Sequence, residues 1–212
     1  MNTQQPTTPR LIGLLGGTFD PIHHAHLIVA EEVRSTLGLS EMVFIPAGQP
    51  PHKLGRAVAA AHHRLAMVEL AIASNPHFSI SRVEIDRPGP SYLVDTLRQL
   101  HEEWGEETEL GFVIGWDSLK DFPTWYNPHS ILANLSRLIA VRRPGYVENK
   151  EYNKQIETCL PAMAERLCVV EVPQLDISST DLRQRIIEGR PIKYQVPETV
   201  EQYIQEHRLY RS

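Results

Sequence analysis

Five side chains in two short stretches have types and spacings suited to holding an anion. The first stretch runs Gly16-Gly-Thr-Phe-Asp-Pro-Ile-His-His-Ala-His-Leu27 and places His23 and His26 three residues apart. Imidazoles donate hydrogen bonds to phosphate oxygens and gain positive charge readily beside an anion. The second stretch runs Asp176-Ile-Ser-Ser-Thr-Asp-Leu-Arg183 and offers the hydroxyls of Ser179 and Thr180, with the guanidinium of Arg183 about one helical turn on. Hydroxyls, backbone amides and one guanidinium together suit a polyphosphate chain. The plainer alternatives are surface histidines at a connection and an ordinary capped helix. A metal site built from His23, His24 and His26 has no cysteine or carboxylate pair nearby to complete it.

Both stretches need a strand and a helix to hold them. Leu11 to Leu15 is an apolar run that reads as a buried strand. Gly16 and Gly17 then allow a tight turn, Pro21 halts it, and Ala25 to about Leu37 reads as an amphipathic helix. A helix N-terminus behind a glycine turn is a ready anion site. In the second stretch Ser178 and Asp181 have capping-box spacing, Leu182, Ile186 and Ile187 form an apolar face, and Gly189 and Pro191 end the helix.

Between these stretches apolar strands alternate with helical patterns. Met42–Ile45 reads as a strand, followed by a Pro- and Gly-rich loop over 47–55. An alanine-rich helix over 57–73 comes next, with His62 and His63 as solvated or locally packed side chains. Phe78 to Ile85 alternates apolar and polar and reads as a strand. Ser91 then stands as the N-cap of a helix through His101. Leu110–Ile114 and Arg137–Val141 read as strands, 149–166 as a helix, Cys168–Val172 as a sixth strand, and 196–209 as a closing helix. Such alternation predicts an α/β fold, a Rossmann-like doubly wound parallel sheet with helices on both faces. Gly115 and Asp117 then fall at a strand end, where open parallel sheets bind ligands.

Composition narrows the partners. The chain has 212 residues, 42% hydrophobic, with a formal net charge of −5 and no long basic block, which argues against general nucleic-acid binding. Only two cysteines, Cys159 and Cys168, are present, which fits a reducing cytoplasm. No apolar run approaches the ~18 residues of a membrane span. Residues 1–9 read as a loose, disordered tail and 10–212 as one domain. A homo-oligomer stays open.

The string Gly16-Gly-Thr-Phe-Asp-Pro-x-His resembles the nucleotidyltransferase superfamily, and its full form resembles bacterial nicotinate-nucleotide adenylyltransferases. Further segments continue the resemblance in order: Pro50-Pro-His-Lys53, Ser91-Tyr-x-Val-Asp-Thr96, Trp125, Arg143-Pro-Gly, Ile177-Ser-Ser-Thr-x-x-Arg183 and Val196-Pro-x-x-Val-x-x-Tyr-Ile204. Two positions depart from it. Ala25 stands where the family has glycine, and Leu93 where it has threonine.

The resemblance implies adenylyl transfer from ATP to nicotinate mononucleotide, giving deamido-NAD and pyrophosphate in NAD biosynthesis. It implies that Gly16, Gly17, Thr18, Phe19, His23, His26, Gly115, Asp117, Ser179, Thr180 and Arg183 meet ATP. His23, His26 and Arg183 act in catalysis, His26 on the charge developing near the α-phosphate. For the mononucleotide it implies Lys53, Ser91, Tyr92, Asp117, Trp125 and Arg143, with Trp125 stacking on the pyridine ring. Asp117 has a second reading as a helix N-cap. Mg²⁺ is expected to travel with ATP through phosphate oxygens and water rather than on protein side chains. Nicotinamide mononucleotide is the alternative acceptor. A non-catalytic nucleotide sensor on the same fold is the alternative of another class.

Overall fold

A computed structural model describes residues 10–50, 58–142 and 161–211. Its strands are β1 (Leu11–Gly17), β2 (Glu41–Pro46), β3 (Phe78–Ile80), β4 (Glu109–Gly115), β5 (Arg137–Arg142) and β6 (Leu167–Glu171). They form one six-stranded sheet in the order β3-β2-β1-β4-β5-β6, and every pairing is parallel. The order reverses direction between β1 and β4. Ligands of open α/β sheets bind outside the carboxyl ends of the strands at such a point.

Among the described residues the helices are α1 (His24–Leu37), α2 (Ala61–Ile72), α3 (Val83–Asp86), α4 (Leu93–Trp104), α5 (Trp116–Leu119), α6 (Pro128–Ala133), α7 (Pro161–Arg166), α8 (Ser179–Ile187) and α9 (Glu198–Glu206). They cover both faces because the strands are apolar on both. In β2, Val43 and Ile45 face a core with Val94, Leu97 and Leu100 of α4. Met42 and Phe44 face the opposite core, with Ala30 and Val33 of α1 and Met67 and Val68 of α2. Successive side chains of a strand point to opposite faces, so a continuous apolar run is what a sheet covered on both sides requires.

Two expectations need correction. The strand expected over 78–85 stops at Ile80, and its second half is the short helix α3. Arg82 at the N-cap position of α3 pairs with Asp86 at 2.8 Å, an i,i+4 contact that only a helical turn allows. Ser91 does not cap α4. Tyr92 occupies the N-cap position without a side-chain hydrogen bond. The Ser91 hydroxyl instead accepts from the backbone N–H groups of Gly48 (3.0 Å) and Gln49 (3.2 Å), and the Ser91 N–H donates to the Gln49 carbonyl at 3.0 Å. A tertiary staple has taken the hydroxyl that local sequence assigned to the helix. The tail at 1–9, Lys53, Arg143, Cys159 and the first part of the helix expected over 149–166 lie outside the described residues.

The staple brings the loop after β2 so close to α3 that a methyl group at Gly48 would collide with the Glu84 carbonyl oxygen. Backbone cannot retreat as a flexible side-chain end can. Gly48→Ala is therefore expected to lower unfolding free energy by about 1–3 kcal/mol in urea titration. An unchanged midpoint would show that the loop does not pack as tightly as described.

Candidate active site

The carboxyl ends of β1 and β4 define the floor of the site. β1 continues through Gly16 and Gly17, so the glycines are the last strand residues and the turn falls beyond them, at Phe19. What they supply is room. A Cβ at Gly17 would lie 2.9 Å from the Phe19 ring, and one at Gly16 would lie 3.3 Å from Phe112. The turn is made by Phe19, whose φ of 50° is in the left-handed region. A phenylalanine there costs roughly 1–3 kcal/mol and persists only where packing holds it. The ring is buried against Phe44 (5.9 Å between centroids) and meets His26 edge-on at 5.1 Å. Burying that ring offsets the backbone cost.

His23 is the N-cap residue of α1 and His26 is three residues in. Their rings stack at 3.7 Å with an interplanar angle of 23°. The His23 backbone N–H donates to His26 Nδ1 at 3.3 Å. Because Nδ1 accepts, the neutral His26 ring carries its proton on Nε2. His23 is only 5% exposed, and its buried Nδ1 has no hydrogen-bond partner among the described residues. Burial, helped by the neighbouring His24, depresses its pKa to about 4. The site without ligand therefore holds a neutral imidazole at neutral pH, in a place where an anion would favour protonation.

The second stretch folds directly onto the first. Ser178 caps α8 by accepting from the Asp181 N–H at 3.1 Å. The other half of a capping box does not form, because the Asp181 carboxylate takes Arg185 at 2.6 Å instead. Ser179 Oγ donates to the Pro21 carbonyl at 2.9 Å. Arg183 Nη1 donates to the Asp20 carbonyl at 2.7 Å, and Nη2 lies 3.4 Å from Thr180 Oγ1. Residues about 160 positions apart thus meet: Ser179 and Arg183 of α8 bond to the Asp20–Pro21 turn, which lies between the end of β1 and the His23 and His26 pair of α1. Gln195 adds a third tie by accepting from the His24 N–H at 3.0 Å.

The other expected residues line the β4 side. Gly115 is at the N-cap position of α5, and Asp117 is exposed in its first turn; no side chain caps that helix. Trp125 is half-buried and packs on Phe122 and Phe112, with centroids at 5.3 and 6.2 Å. Phe112 is also the ring above Gly16, so Trp125 is linked to the end of β1 through one aromatic. Tyr92 stacks with the exposed Tyr126 at 4.5 Å. The hydroxyl of Ser91 is committed to the 47–49 loop. Among the described residues no group of three or more His, Cys, Asp or Glu side chains is placed to hold a metal ion. No helix there is long and apolar enough to cross a membrane.

Two groups that sequence alone does not single out are buried beside the site. Arg64 of α2 is 2% exposed and Asp20 is also 2% exposed. Asp20 stands in the Gly16–Pro21 string without being marked there as a site residue, Arg64 stands in no marked pattern, and the burial of both depends on contacts far along the chain.

Comparison with known proteins shows the family and the fold. The sequence profile of the cytidylyltransferase-like family matches residues 14–185 and sets the class of protein. A relative from Thermomicrobium roseum, named probable nicotinate-nucleotide adenylyltransferase, is 50% identical over 201 residues, spanning 95% of this chain and 92% of its own. One of the same name from Roseiflexus sp. is 50% identical over 200 residues, spanning 94% and 98%. The chain belongs to the nicotinate-nucleotide adenylyltransferase family. In fold it is similar to the Plasmodium falciparum nicotinic acid mononucleotide adenylyltransferase complexed with NaAD. That match has a TM-score of 0.74 at 20% identity and covers 95% of this chain and 97% of the other.

The depressed pKa of His23 carries a stability signature. Between about 4 and 6.5 the unfolded chain binds a proton at this residue that the folded chain does not. Stability from this group is therefore complete above 6.5 and is lost as pH falls toward 4, a change of about 3 kcal/mol. Urea titrations across that range should show this increment in the native protein and its absence in His23→Asn. Parallel pH profiles for the two would contradict the burial described.

Proposed function

We propose that the protein transfers the adenylyl group of ATP to nicotinate mononucleotide, as the family's relatives are named for doing. The observation that carries the reading is the closure of α8 onto the β1–α1 turn through Ser179–Pro21 and Arg183–Asp20. One polyphosphate can then be held from both sides.

In the reaction the 5′-phosphate oxygen of the mononucleotide attacks the α-phosphorus of ATP. The new P–O bond forms as the bond to the β-phosphate oxygen breaks, and pyrophosphate leaves. The attacking oxygen is already ionised, so no strong base is required. The barrier comes from bringing two anions into line, so positioning and fixed positive charge supply the rate. His26, with its proton on Nε2, donates to the charge that develops at the α-phosphate. His23, neutral before binding, gains a proton beside the phosphate chain. Arg183 and Thr180, with the N-terminus of α8, hold the β- and γ-phosphates. Gly16 to Phe19 present main chain to the nucleotide. Asp117, beyond the end of β4, takes the sugar hydroxyls. Mg²⁺ enters as part of MgATP, bound by phosphate oxygens and water.

The acceptor ring lies between Trp125, as a stacking wall, and the start of α4 at Tyr92. The family resemblance assigns Lys53 and Arg143, both outside the described residues, to the mononucleotide. α4 begins at Leu93, and the first N–H groups of a helix have no intrahelical acceptor. Backbone, not the Leu93 side chain, therefore meets the acceptor's substituent. A helix N-terminus favours an anion, so nicotinate is preferred over nicotinamide. The cysteine usage and the lack of a membrane-spanning helix among the described residues support a cytoplasmic enzyme.

Incubation with MgATP and each mononucleotide separately, followed by pyrophosphate release, tests the reading. Nicotinate mononucleotide is expected to give a kcat/KM at least a hundredfold above nicotinamide mononucleotide. Equal values would overturn the acceptor assignment, and no release from either would overturn the reaction. His26→Ala should lower kcat more than tenfold, above ~1.4 kcal/mol of transition-state stabilisation. A smaller fall would remove His26 from its role.

A further inference from the structure

The adenylyl-transfer reading leaves Arg64 and Tyr210 without a task, yet both are joined to the site. Arg64 donates to three backbone carbonyls on three separate segments. Nη1 reaches Thr18 O at 2.8 Å, Nη2 reaches Gly48 O at 3.2 Å, and Nε reaches Ala59 O at 3.0 Å. Thr18 is in the loop after β1, Gly48 in the loop after β2, and Ala59 precedes α2. Among the described residues no carboxylate hydrogen-bonds to this buried cation. Asp20 supports it only through its field, and burial lowers the guanidinium's affinity for its proton. An apolar side chain of like volume would fill the space without that desolvation.

Asp20 completes the arrangement. Its Oδ1 accepts from the Tyr210 hydroxyl at 2.7 Å and from the Ala59 N–H at 3.3 Å. Its Oδ2 lies 3.7 Å from Arg183 Nη1, whose hydrogen bond goes to the Asp20 carbonyl. Ala59 thus gives its N–H to Asp20 and its carbonyl to Arg64. The residues on either side of Phe19, with its left-handed backbone, are each pinned. The last turn of the chain reaches this point through Tyr210, whose hydroxyl is held in its protonated form by burial and by Asp20.

We propose that Arg64 and Tyr210 are positioning residues: Arg64 locks the loops after β1 and β2 into one register, and Tyr210 fixes Asp20 beneath Arg183. Arg64 therefore couples the segment that meets ATP to the segment that, through Ser91, is stapled beside the acceptor. The inference rests on the adenylyl-transfer reading for what these loops hold, but it concerns how they are held. Neither residue touches substrate. A planar fork spans three carbonyls in fixed geometry, whereas a lysine ammonium on a single nitrogen cannot.

The test uses Arg64→Lys and Tyr210→Phe in the full chain, at a temperature where circular dichroism shows each folded. Each is expected to lower kcat about tenfold at saturating substrates and to weaken ATP binding about tenfold in calorimetric titration. Tyr210→Phe should lose most of its effect in an Arg183→Lys background, because the two act along one path. Folded variants that lose less than threefold in both kcat and ATP affinity would overturn the proposal, as would full additivity with Arg183→Lys. If Arg64→Lys does not fold, Tyr210→Phe and the double variant decide. If the native protein releases no pyrophosphate, the adenylyl-transfer reading fails, and the ATP titrations of the variants still decide this one.

Discussion

The hydrogen bond from Arg183 to the Asp20 carbonyl is the constraint on which the site depends. It joins the start of α8 to the turn after β1, and Ser179 to Pro21 repeats the tie one residue further along. Each partner alone is ordinary. A glycine turn before a helix occurs in many α/β proteins, and a serine-capped helix with an arginine in its first turns occurs in more. Held together, the two stretches lie directly against one another. The sheet makes this possible: β1 is central, β4 lies beside it, and the chain returns to the same edge after β6.

If the site takes anions as proposed, local electrostatics explain how it does so in a chain with a formal net charge of −5. Positive character is local and largely latent. His23 is buried neutral, Arg64 is buried among carbonyls, and Arg183 is partly matched by Asp20. In the proposed reaction an arriving polyphosphate would supply the charge that completes His23 and Arg183, while Arg64 stays committed to its three carbonyls. A site of this kind avoids standing self-repulsion, and in the proposed reaction it would favour ligands that carry several negative charges close together.

Much of this was legible in the residues. The six strands, their order of appearance and the two phosphate-suited stretches follow from apolar runs, turn residues and capping spacing. The structure has a strand at each of the six apolar runs and a helix capped by Ser178 where the second stretch predicts one. What was not legible depends on tertiary contact. Ser91 has the chemistry of an N-cap, but the loop at Gly48 and Gln49 claims its hydroxyl. The alternation through Ile85 suits a strand, yet after Ile80 the chain turns into α3, where Arg82 and Asp86 pair. Gly16 and Gly17 suggest a turn, but their use is to admit Phe112 and Phe19, and the turn falls on a phenylalanine. Arg64 lies in an alanine-rich helix with nothing in its neighbours to mark it as buried.

The most direct measurement is a crystal structure with a non-hydrolysable MgATP analogue. The account places the triphosphate between the His23–His26 pair and the Ser179–Arg183 end of α8, with donors from both stretches on one phosphate chain. A triphosphate bound by only one of the two, with the other facing solvent or protein, would contradict it.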